Sequence, residues 1–445
     1  ERLFETANQQ LFMGLPGYTG PNVLARGEKP EDKAVFFIWE LEQIFGRWIA
    51  EIYQERPHDG LRPVECPRYP LTPNQAYEEG IARSGFVKVP SDPNFNLHLL
   101  PVIFKHIRND GISHRSLDFD DPILGIPVFS LYGEQRRPTG HQMSTFDVVL
   151  IDLQDLGCRI YTFITTLRYV LEAAAKHGKA VWVLDRPNPA GRPVEGTLLQ
   201  PGWESFVGAG PLPMRHGMTM GELARWFVAT LKLDVECEVI AMEGWQPDLA
   251  PGYGWPIGER SWINPSPNAP NLSMARAYAG TVMLEGTTLS EGRGTTRPLE
   301  LFGAPDLDAR KLIARMEAFA PKWLAGCRLR ECWFEPTFHK HAGKLCNGVQ
   351  IHVEDPTHYD HAKFRPWRLQ ALAFKAIRQL RRDYPLWRDF PYEYEHDRLA
   401  IDLINGSEIL REWVDDATTR PGDLDALAQA DEREWEEMRR TFLLY

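Results

Sequence analysis

The chain has 445 residues, of which 43% are hydrophobic, and a net charge of −11 with a pI near 5.7. These values predict a globular protein of two or three domains and exclude a protein that binds nucleic acid through a basic face. No run of 18 apolar residues occurs, so no membrane-spanning helix is predicted. Because the chain begins at Glu1 without Met, we expect export to the periplasm or the medium with the leader removed, and we keep a cytoplasmic location as the alternative.

The sequence carries no signature of a metal or cofactor site. Its six cysteines lack a CxxC pair, and His339, His341 and Cys346 fit no metal-ligand spacing. A Walker A sequence, HExxH, GxSxG and a strand-linked GxGxxG are all missing. We therefore expect no metal and no cofactor, and the sequence disfavours phosphate-cofactor, zinc-hydrolase and serine-esterase chemistry.

Residues 1–115 give few readable strands, because proline-rich stretches interrupt them. Further along the chain, short apolar runs alternate with segments of helical periodicity. The predicted elements are a strand at 147–153, a helix at 165–177, a strand at 180–184, a helix at 219–232 and a strand at 235–242. Apolar strands joined through helices by short links are typical of a parallel sheet, and Thr219 with Glu222 forms the capping-box pattern of a helix start. The sequence therefore predicts an α/β domain over residues 1–245.

The second half of the chain is typical of an α+β domain. Residues 246–275 are rich in Pro, Gly, Trp and Asn, which indicates a crossover loop or a domain boundary. Beyond them, the periodicity predicts a helix at 309–324, a strand at 348–353, an amphipathic helix at 366–383 and a charged helix near 424–440. We therefore predict a smaller α+β domain over residues 246–445. The basic residues of the amphipathic helix are interpreted as a solvated face; they are Lys375, Arg378, Arg381 and Arg382.

Polar residues cluster after both strands of the predicted strand-helix-strand unit. In an open parallel sheet, ligands bind outside the carboxyl ends of the strands, so these residues are candidates for a binding site. After the first strand they are Asp152, Gln154, Asp155, Arg159 and Tyr161, and after the second they are Asp185, Arg186, Asn188 and Glu195. Arg215 and His216 closely precede a predicted helix, whose N-terminus could add affinity for an anion.

Residues 285–297, called the Gly/Thr segment below, have the composition of a binding loop. Three glycines allow close approach of the backbone to a ligand, and charged side chains can form strong hydrogen bonds with it. The candidate binding residues of the segment are Glu285, Glu291, Arg293 and Thr295. Taken alone, such a segment is more typical of a hydrophilic surface loop. Together with the strand-end residues, it favours a pocket of carboxylates, arginines, amides and aromatic rings, which suits a carbohydrate.

Several stretches, in chain order, resemble the exo-acting β-N-acetylmuramidases of the NamZ type. They include Asp-Leu-Gln-Asp-Leu-Gly at 152–157 and Ser-Glu-Gly-Arg-Gly-Thr-Thr at 290–296. All the matching stretches are 125–133, 152–162, 184–189, 205–208, 214–219, 265–268, 284–296, 334–338 and 348–352, and the C-terminal helices to residue 445 also fit. The resemblance implies a Rossmann-like N-terminal domain with parallel strands, a smaller C-terminal domain and an active-site cleft between them. It also implies release of N-acetylmuramic acid from the non-reducing end of peptidoglycan fragments, so the expected partner is a peptidoglycan-derived saccharide or muropeptide.

Glycoside hydrolysis normally needs two carboxyl groups that flank the scissile bond. The available carboxyls are Asp152, Asp155, Asp185, Glu195, Glu285 and Glu291, and we predict Glu291 and Asp155 as the catalytic ones. Muramic acid carries a lactyl carboxylate, which an arginine can hold as a charge-assisted pair. The candidate arginines for this pair are Arg159, Arg186, Arg215 and Arg293. The other predicted substrate-binding residues are Gln154, Tyr161, Asn188, His216, Asn268 and Thr295.

Upstream, the chain departs from the family pattern. Family members carry a Pro-Glu-His-Gly-like or Pro-Gln-His-Gly-like segment there, whereas residues 101–111 contain none, and residues 21–115 match little else. The sequence thus leaves the catalytic acid unassigned: the chain uses Asp110 or another carboxylate, has a rearranged N-terminal half, or has lost activity. The alternative functions are a non-catalytic cell-wall glycan-binding protein and, more remotely, a nucleotide-sugar-using α/β enzyme, for which no phosphate-binding loop is visible.

Overall fold

The computed structural model describes a large C-terminal part of the chain and short pieces before it. The described residues are 6–7, 10–12, 15, 36, 38–58, 61, 70–84, 119–120, 127–132, 135–393 and 395–445. The chain divides into two units, Glu1–Phe104 and Lys105–Tyr445. The described helices of the first unit are α1 (Ile38–Trp48), which runs into a π-helical turn at Ile49–Tyr53, and α2 (Pro73–Ser84).

A three-stranded parallel sheet forms the first layer of the second unit. The elements up to the end of this layer are β1 (Phe119–Asp120), β2 (Pro127–Val128), α3 (Gly140–Met143), β3 (Val148–Ile151), α4 (Phe163–His177), β4 (Ala180–Leu184), α5 (Met220–Thr230) and β5 (Cys237–Ile240). The strands lie in the order β3-β4-β5, and both neighbouring pairs are parallel. The predicted strand-helix-strand units and the parallel sheet are therefore confirmed.

The parallel strands bury one face rather than two. Val181 and Val183 of β4 pack in one core with α4 and α5, whereas the alternating positions point away from it. Leu150 and Trp182, which are partners across β3 and β4, are 56% and 39% exposed. Both crossing helices pack in the same core, and the described residues leave the other face of the sheet uncovered, whereas most parallel sheets are covered on both faces.

The N-terminus of α5 is fixed by the predicted capping box. Thr219 Oγ1 accepts a hydrogen bond from the Glu222 backbone N–H, and the Glu222 carboxylate accepts one from the Thr219 backbone N–H. The same Thr219 hydroxyl donates to Asp185 Oδ2 at 2.6 Å, so the helix start is also tied to the end of β4.

Replacing Thr219 with alanine should lower the free energy of unfolding by about 1–2 kcal/mol, because the buried hydroxyl both caps α5 and satisfies Asp185. Urea denaturation of Thr219→Ala and Thr219→Ser measures this effect. Serine keeps the hydroxyl and should lose less than half as much as alanine. Equal losses in the two variants would mean that the methyl group, not the cap, is the source of the stability.

The second half of this unit combines an antiparallel sheet with helices. Its elements are α6 (Leu272–Thr281), β6 (Leu301–Ala304), α7 (Ala309–Phe319), β7 (Arg328–Phe334), β8 (Cys346–His352), α8 (Pro366–Leu380), α9 (Ala400–Asn405), α10 (Ile409–Asp415) and α11 (Pro421–Arg439). Short 3₁₀ turns occur at Val282–Gly286, Pro321–Leu324 and Arg440–Phe442. The sheet has the order β6-β8-β7, and α8 packs against α6 and α7. This half combines helices with strands as predicted, and the sheet contains two strands besides the one that the sequence indicated at 348–353.

Two of the differences from the predicted boundaries in this half have a clear local cause. The helix predicted to reach residue 324 ends at Phe319, because Ala320 leaves the helical conformation and Pro321 begins a separate 3₁₀ turn. The helix α6 begins inside the segment expected to be a loop, after Asn271 caps its first turn through the Met274 N–H.

Lys375 corrects the interpretation of the basic helix face as solvated. Its ammonium group is buried and donates to the carbonyls of Trp413 and Asp416 and to the Thr419 hydroxyl. Only the neighbouring Arg381 and Arg382 of that basic set are exposed. A charge pattern alone could not reveal this role, because the acceptors come from residues about forty positions later in the chain.

The last helix returns to the first layer. Trp435 of α11 lies edge-on against Trp226 of α5, in the same core as β4. The fold is thus mixed α/β with separate parallel and antiparallel sheets, while the Rossmann-like arrangement and the division at residue 245 remain predictions. Within the described part of the chain, every helix is too short or too polar to span a bilayer.

Candidate active site

Asp155 lies at the carboxyl end of the parallel sheet with one oxygen held and one free. Oδ2 accepts a hydrogen bond from the Gly157 N–H at 2.7 Å and lies 3.3 Å from His216 Nε2, a contact that does not meet hydrogen-bond geometry. Since His216 Nδ1 accepts from the Met218 N–H, the ring proton is on Nε2 and faces Asp155. Oδ1 is buried and has no hydrogen-bond partner among the described residues. Asp155, from the residues after β3, and His216, from the residues before α5, are thus brought together.

Two tyrosines connect this carboxylate with the Gly/Thr segment. Tyr161 lies within electrostatic range of Asp155 and contacts Tyr278 edge-on, with ring centroids 6.0 Å apart. Tyr278 in turn lies beside Glu285 and Arg293, and its burial raises its pKa well above the ordinary value. These two rings therefore lie between Asp155 and the charged side chains of the Gly/Thr segment.

The Gly/Thr segment holds its charged side chains in a chain of ion pairs. Arg293 Nη2 lies 2.5 Å from Glu285 Oε1, and Arg293 Nε lies 2.9 Å from Glu291 Oε1. The second Glu285 oxygen accepts a hydrogen bond from the Tyr392 hydroxyl at 2.7 Å. Thr295 closes the turn by donating to the Gly292 carbonyl. Glu285 and Arg293 keep some exposure, whereas the Glu291 side chain has none.

Gly294 shows why this segment needs glycine. Its φ is +79°, a conformation that L side chains rarely adopt, and a Cβ here would lie 1.8 Å from Thr337 Oγ1. The close approach brings the segment against residues 335–345, the connection between β7 and β8, and the Thr337 N–H donates to the Arg293 carbonyl. The glycine content therefore serves internal packing in this structure.

The connection between β7 and β8 contributes three side chains that the sequence did not assign to the site. His339 Nδ1 lies 3.2 Å from Glu291 Oε1, and Lys340 Nζ lies 2.9 Å from Glu291 Oε2. Lys340 also donates to the Leu284 and Thr287 carbonyls, and His341 Nε2 lies 2.9 Å from the Thr288 carbonyl. The sequence offered these histidines only as metal ligands of unsuitable spacing, and the described residues contain no group of side chains able to hold a metal.

Glu291 has the surroundings of a permanently charged structural carboxylate. Burial alone would raise its pKa, but Lys340, His339 and Arg293 together hold that pKa well below the ordinary value. A general acid needs a proton to give near neutral pH, so this environment does not suit the predicted catalytic role. The Glu291 carboxylate instead holds the Arg293 guanidinium in place through the ion pair between Oε1 and Nε.

Two of the arginines predicted to clamp a carboxylate are fully buried. Arg159 donates to four carbonyls, which belong to Thr197, Leu212, Ile404 and Asn405. Arg215 donates to the carbonyls of Ala190 and Phe364. These guanidiniums cross-link distant segments of the chain, so their placement gives no support to contact with a substrate.

Three other predicted binding residues also have internal roles. Glu195 is buried and accepts from the Trp367 and Arg368 N–H groups, so it caps α8. Asp185 accepts from Thr219, the Gly221 N–H and the Tyr445 hydroxyl.

Asn188 completes these internal roles by linking the segment after β4 to the residues before α5. It donates to the Met218 carbonyl and accepts from the Ala190 N–H. Like Glu195 and Asp185, Asn188 holds neighbouring segments of the chain together through hydrogen bonds within the protein.

Asp152 and Arg186 form an exposed pair at the same end of the sheet. Arg186 Nε and Nη2 lie 2.5 and 2.9 Å from the two Asp152 oxygens. Gln154 donates to the Pro187 carbonyl, and Asn268 is half-buried. Asp110, the upstream candidate for the acid, lies outside the described residues together with the rest of residues 101–111.

Comparison with known proteins places the chain in a family. The models of the N-terminal and C-terminal domains of the exo-beta-N-acetylmuramidase NamZ match residues 107–273 and 276–445. The peptidoglycan beta-N-acetylmuramidase NamZ of Bacillus subtilis (strain 168) is 35% identical over 326 residues, which are 73% of this chain and 74% of that protein.

Solved structures agree with this result. Crystal structures of two DUF1343 family proteins from Bacteroides fragilis NCTC 9343 are similar to the chain, with TM-scores of 0.63 and 0.57 and identities of 29% and 26%. Each similarity covers 73% of this chain and 82% of the solved one. The family match begins at residue 107, upstream of residue 125, where the sequence resemblance begins. The chain belongs to the exo-beta-N-acetylmuramidase NamZ family.

Proposed function

We propose that the chain is a glycoside hydrolase that releases N-acetylmuramic acid from the non-reducing end of peptidoglycan fragments. Its similarity to a protein named peptidoglycan beta-N-acetylmuramidase supports a muramidase-like glycosidase. The mixture of carboxylates, arginines and tyrosines around Asp155 suits a sugar, whose hydroxyls need polar partners and whose ring faces pack on aromatic side chains.

The observation that carries the proposal is the unpartnered Oδ1 of Asp155. A buried acceptor without a partner is costly, and a substrate hydroxyl, amide or attacking water would satisfy it. The Gly157 N–H holds the other oxygen by a hydrogen bond, and His216 Nε2 lies 3.3 Å from the same oxygen. We propose Asp155 as a catalytic carboxylate that acts as base or charge stabiliser, with His216 as its positioning residue.

Glu285 is the second carboxylate that this proposal requires. It keeps some exposure and lies on the other side of the two tyrosines from Asp155. We propose that the substrate binds between the strand ends and the Gly/Thr segment, in a cleft between the two halves of the second unit, and that the protein is exported.

Hydrolysis of a chromogenic β-N-acetylmuramide tests the proposal. We expect release of the chromophore and of free N-acetylmuramic acid by the unmodified protein. Calorimetry with the same sugar separates the alternative, since a non-catalytic glycan-binding protein would bind it with no release of product. A folded protein that shows neither turnover nor binding would contradict both functions.

A further inference from the structure

Arg388 lies beside the Gly/Thr segment, in the connection between α8 and α9. Its backbone N–H donates to the Gly286 carbonyl at 3.1 Å, and its guanidinium lies 3.9 Å from the ring centroid of Phe390. Its Nη1 lies 3.3 Å from His339 Nε2. The backbone bond, the ring and the imidazole thus hold the half-buried side chain in one position before any ligand binds.

The contact with His339 fixes the charge of that imidazole. A guanidinium can only donate, so His339 Nε2 accepts and the ring proton lies on Nδ1, which faces Glu291. The ring in this tautomer is neutral. His339 therefore connects Arg388 with Glu291 through its two ring nitrogens. Because the ring is neutral, it does not neutralise the positive charge of Arg388.

The cluster joined by these contacts has one excess positive charge. Its two carboxylates, Glu285 and Glu291, face three cations, which are Arg293, Lys340 and Arg388. Arg293 contacts both carboxylates and Lys340 contacts Glu291, whereas Arg388 forms no ion pair among the described residues. A partly exposed site with this balance is suited to a ligand that carries one negative charge.

Arg388 differs in this respect from every arginine that the sequence analysis proposed as a clamp. Arg159 and Arg215 have no exposure, Arg186 is occupied by Asp152, and Arg293 is occupied by two glutamates. A substrate carboxylate would have to displace an existing partner from Arg186 or Arg293. It would displace none from Arg388.

We propose that Arg388 is the residue that recognises the lactyl carboxylate of the muramic sugar and so distinguishes it from the glucosamine sugar that lacks this group. The inference rests on the proposed function for the identity of the sugar. The guanidinium would bind the carboxylate through the nitrogens that do not contact His339, and Phe390 and His339 would keep it in the binding orientation.

Calorimetry with N-acetylmuramic acid and N-acetylglucosamine tests this role. The unmodified protein should prefer the first sugar, and Arg388→Gln should weaken its binding by about 10- to 100-fold, the size expected for a lost charge-assisted hydrogen bond. Binding of N-acetylglucosamine should change less than about threefold, because that sugar presents no carboxylate to the guanidinium. Arg388→Lys should recover part of the preference, since lysine keeps the charge but not the planar donor pair.

Arg382→Gln is the matched control, since Arg382 is exposed and lies six positions earlier in the chain. It should leave the affinity for both sugars unchanged. Equal weakening of both sugars by Arg388→Gln would assign a structural role and overturn the proposal, as would an unchanged preference or no binding of N-acetylmuramic acid by the unmodified protein. Carboxylate-dependent binding without any turnover of the chromogenic substrate would contradict the proposed hydrolysis and still support the role of Arg388.

Discussion

Replacement of Asp155 with asparagine is expected to lower kcat/KM for a β-N-acetylmuramide about a thousandfold, within the range for loss of a general acid-base group. Asparagine can still present its oxygen to Gly157 and His216, where Asp155 Oδ2 lies. Its amide would then replace the free Oδ1 and could no longer accept a proton or stabilise positive charge. The variant should therefore fold normally, and thermal unfolding should show a midpoint close to that of the parent.

Asp152→Asn is the control for this loss. Asp152 belongs to the same strand end, but its carboxylate is half exposed and paired with Arg186. We expect its kcat/KM to stay within about tenfold of the parent, because an exposed ion pair contributes little to the arrangement of a site. An Asp155→Asn variant that keeps more than a tenth of the parent activity would remove Asp155 from the catalytic role.

Replacement of Lys340 with methionine is expected to lower the free energy of unfolding by about 3–5 kcal/mol at pH 7, the usual cost of breaking a buried ion pair from one side. The change leaves the fully buried Glu291 without its contact on Oε2. It also removes the donor to the Leu284 and Thr287 carbonyls. Urea denaturation measures the loss.

The pH dependence of this loss follows from the lowered pKa of Glu291. Burial opposes ionisation of Glu291, but its cationic neighbours hold the folded pKa below the unfolded one, so its charge contributes stability that is complete above about pH 5 and is lost as the pH falls through the folded pKa. Removing Lys340 raises the folded pKa. The difference between parent and variant should therefore be smaller at pH 4 than at pH 7.

Two further variants identify the origin of the effect. Lys344→Met, at an exposed lysine in the same connection, should change the stability by less than about 0.5 kcal/mol. Adding Glu291→Gln to Lys340→Met should recover part of the loss, because no unpaired charge then remains buried. A double variant less stable than Lys340→Met would show that Glu291 is stabilised mainly by its other partners.

The elements of the fold could be predicted where local periodicity was strong. The strand at 180–184 has the bounds that the apolar run indicated, and the capping box at Thr219 begins its helix as expected. The strand β7 was missed because polar residues such as Arg328 and Arg330 alternate along it, and its pairing with β8 is a long-range contact. The sequence of β7 alone does not indicate that it pairs with β8, because its few apolar residues stand between charged ones.

The candidate site was only partly predictable for a related reason. Asp155 and His216 lie about sixty positions apart, and the sequence named both as candidates without predicting that they contact each other. The same types of residue at the same strand ends, Arg159 and Glu195, instead bind backbone groups in the interior. Sequence patterns show which polar side chains are present, but they do not show which of these side chains form hydrogen bonds within the protein and are therefore not free to bind a substrate.

The contribution of the later segments could not be predicted at all. His339 adopts a φ of +68°, and Arg388 lies in a connection without regular structure. Neither feature has a periodic signal, and both residues reach the Gly/Thr segment only because the chain folds back from a distant position. The contacts of His339 and Lys340 with Glu291, and the position of Arg388 beside His339, therefore became visible only in three dimensions.

A crystal structure of the protein with bound N-acetylmuramic acid is the most direct test of the account. We predict that the sugar lies between the strand ends and the Gly/Thr segment, with a polar group within hydrogen-bond distance of Asp155 Oδ1 and its lactyl carboxylate on Arg388. A sugar bound elsewhere, such as the groove beside Trp323 and Arg365, would contradict this assignment of the active site.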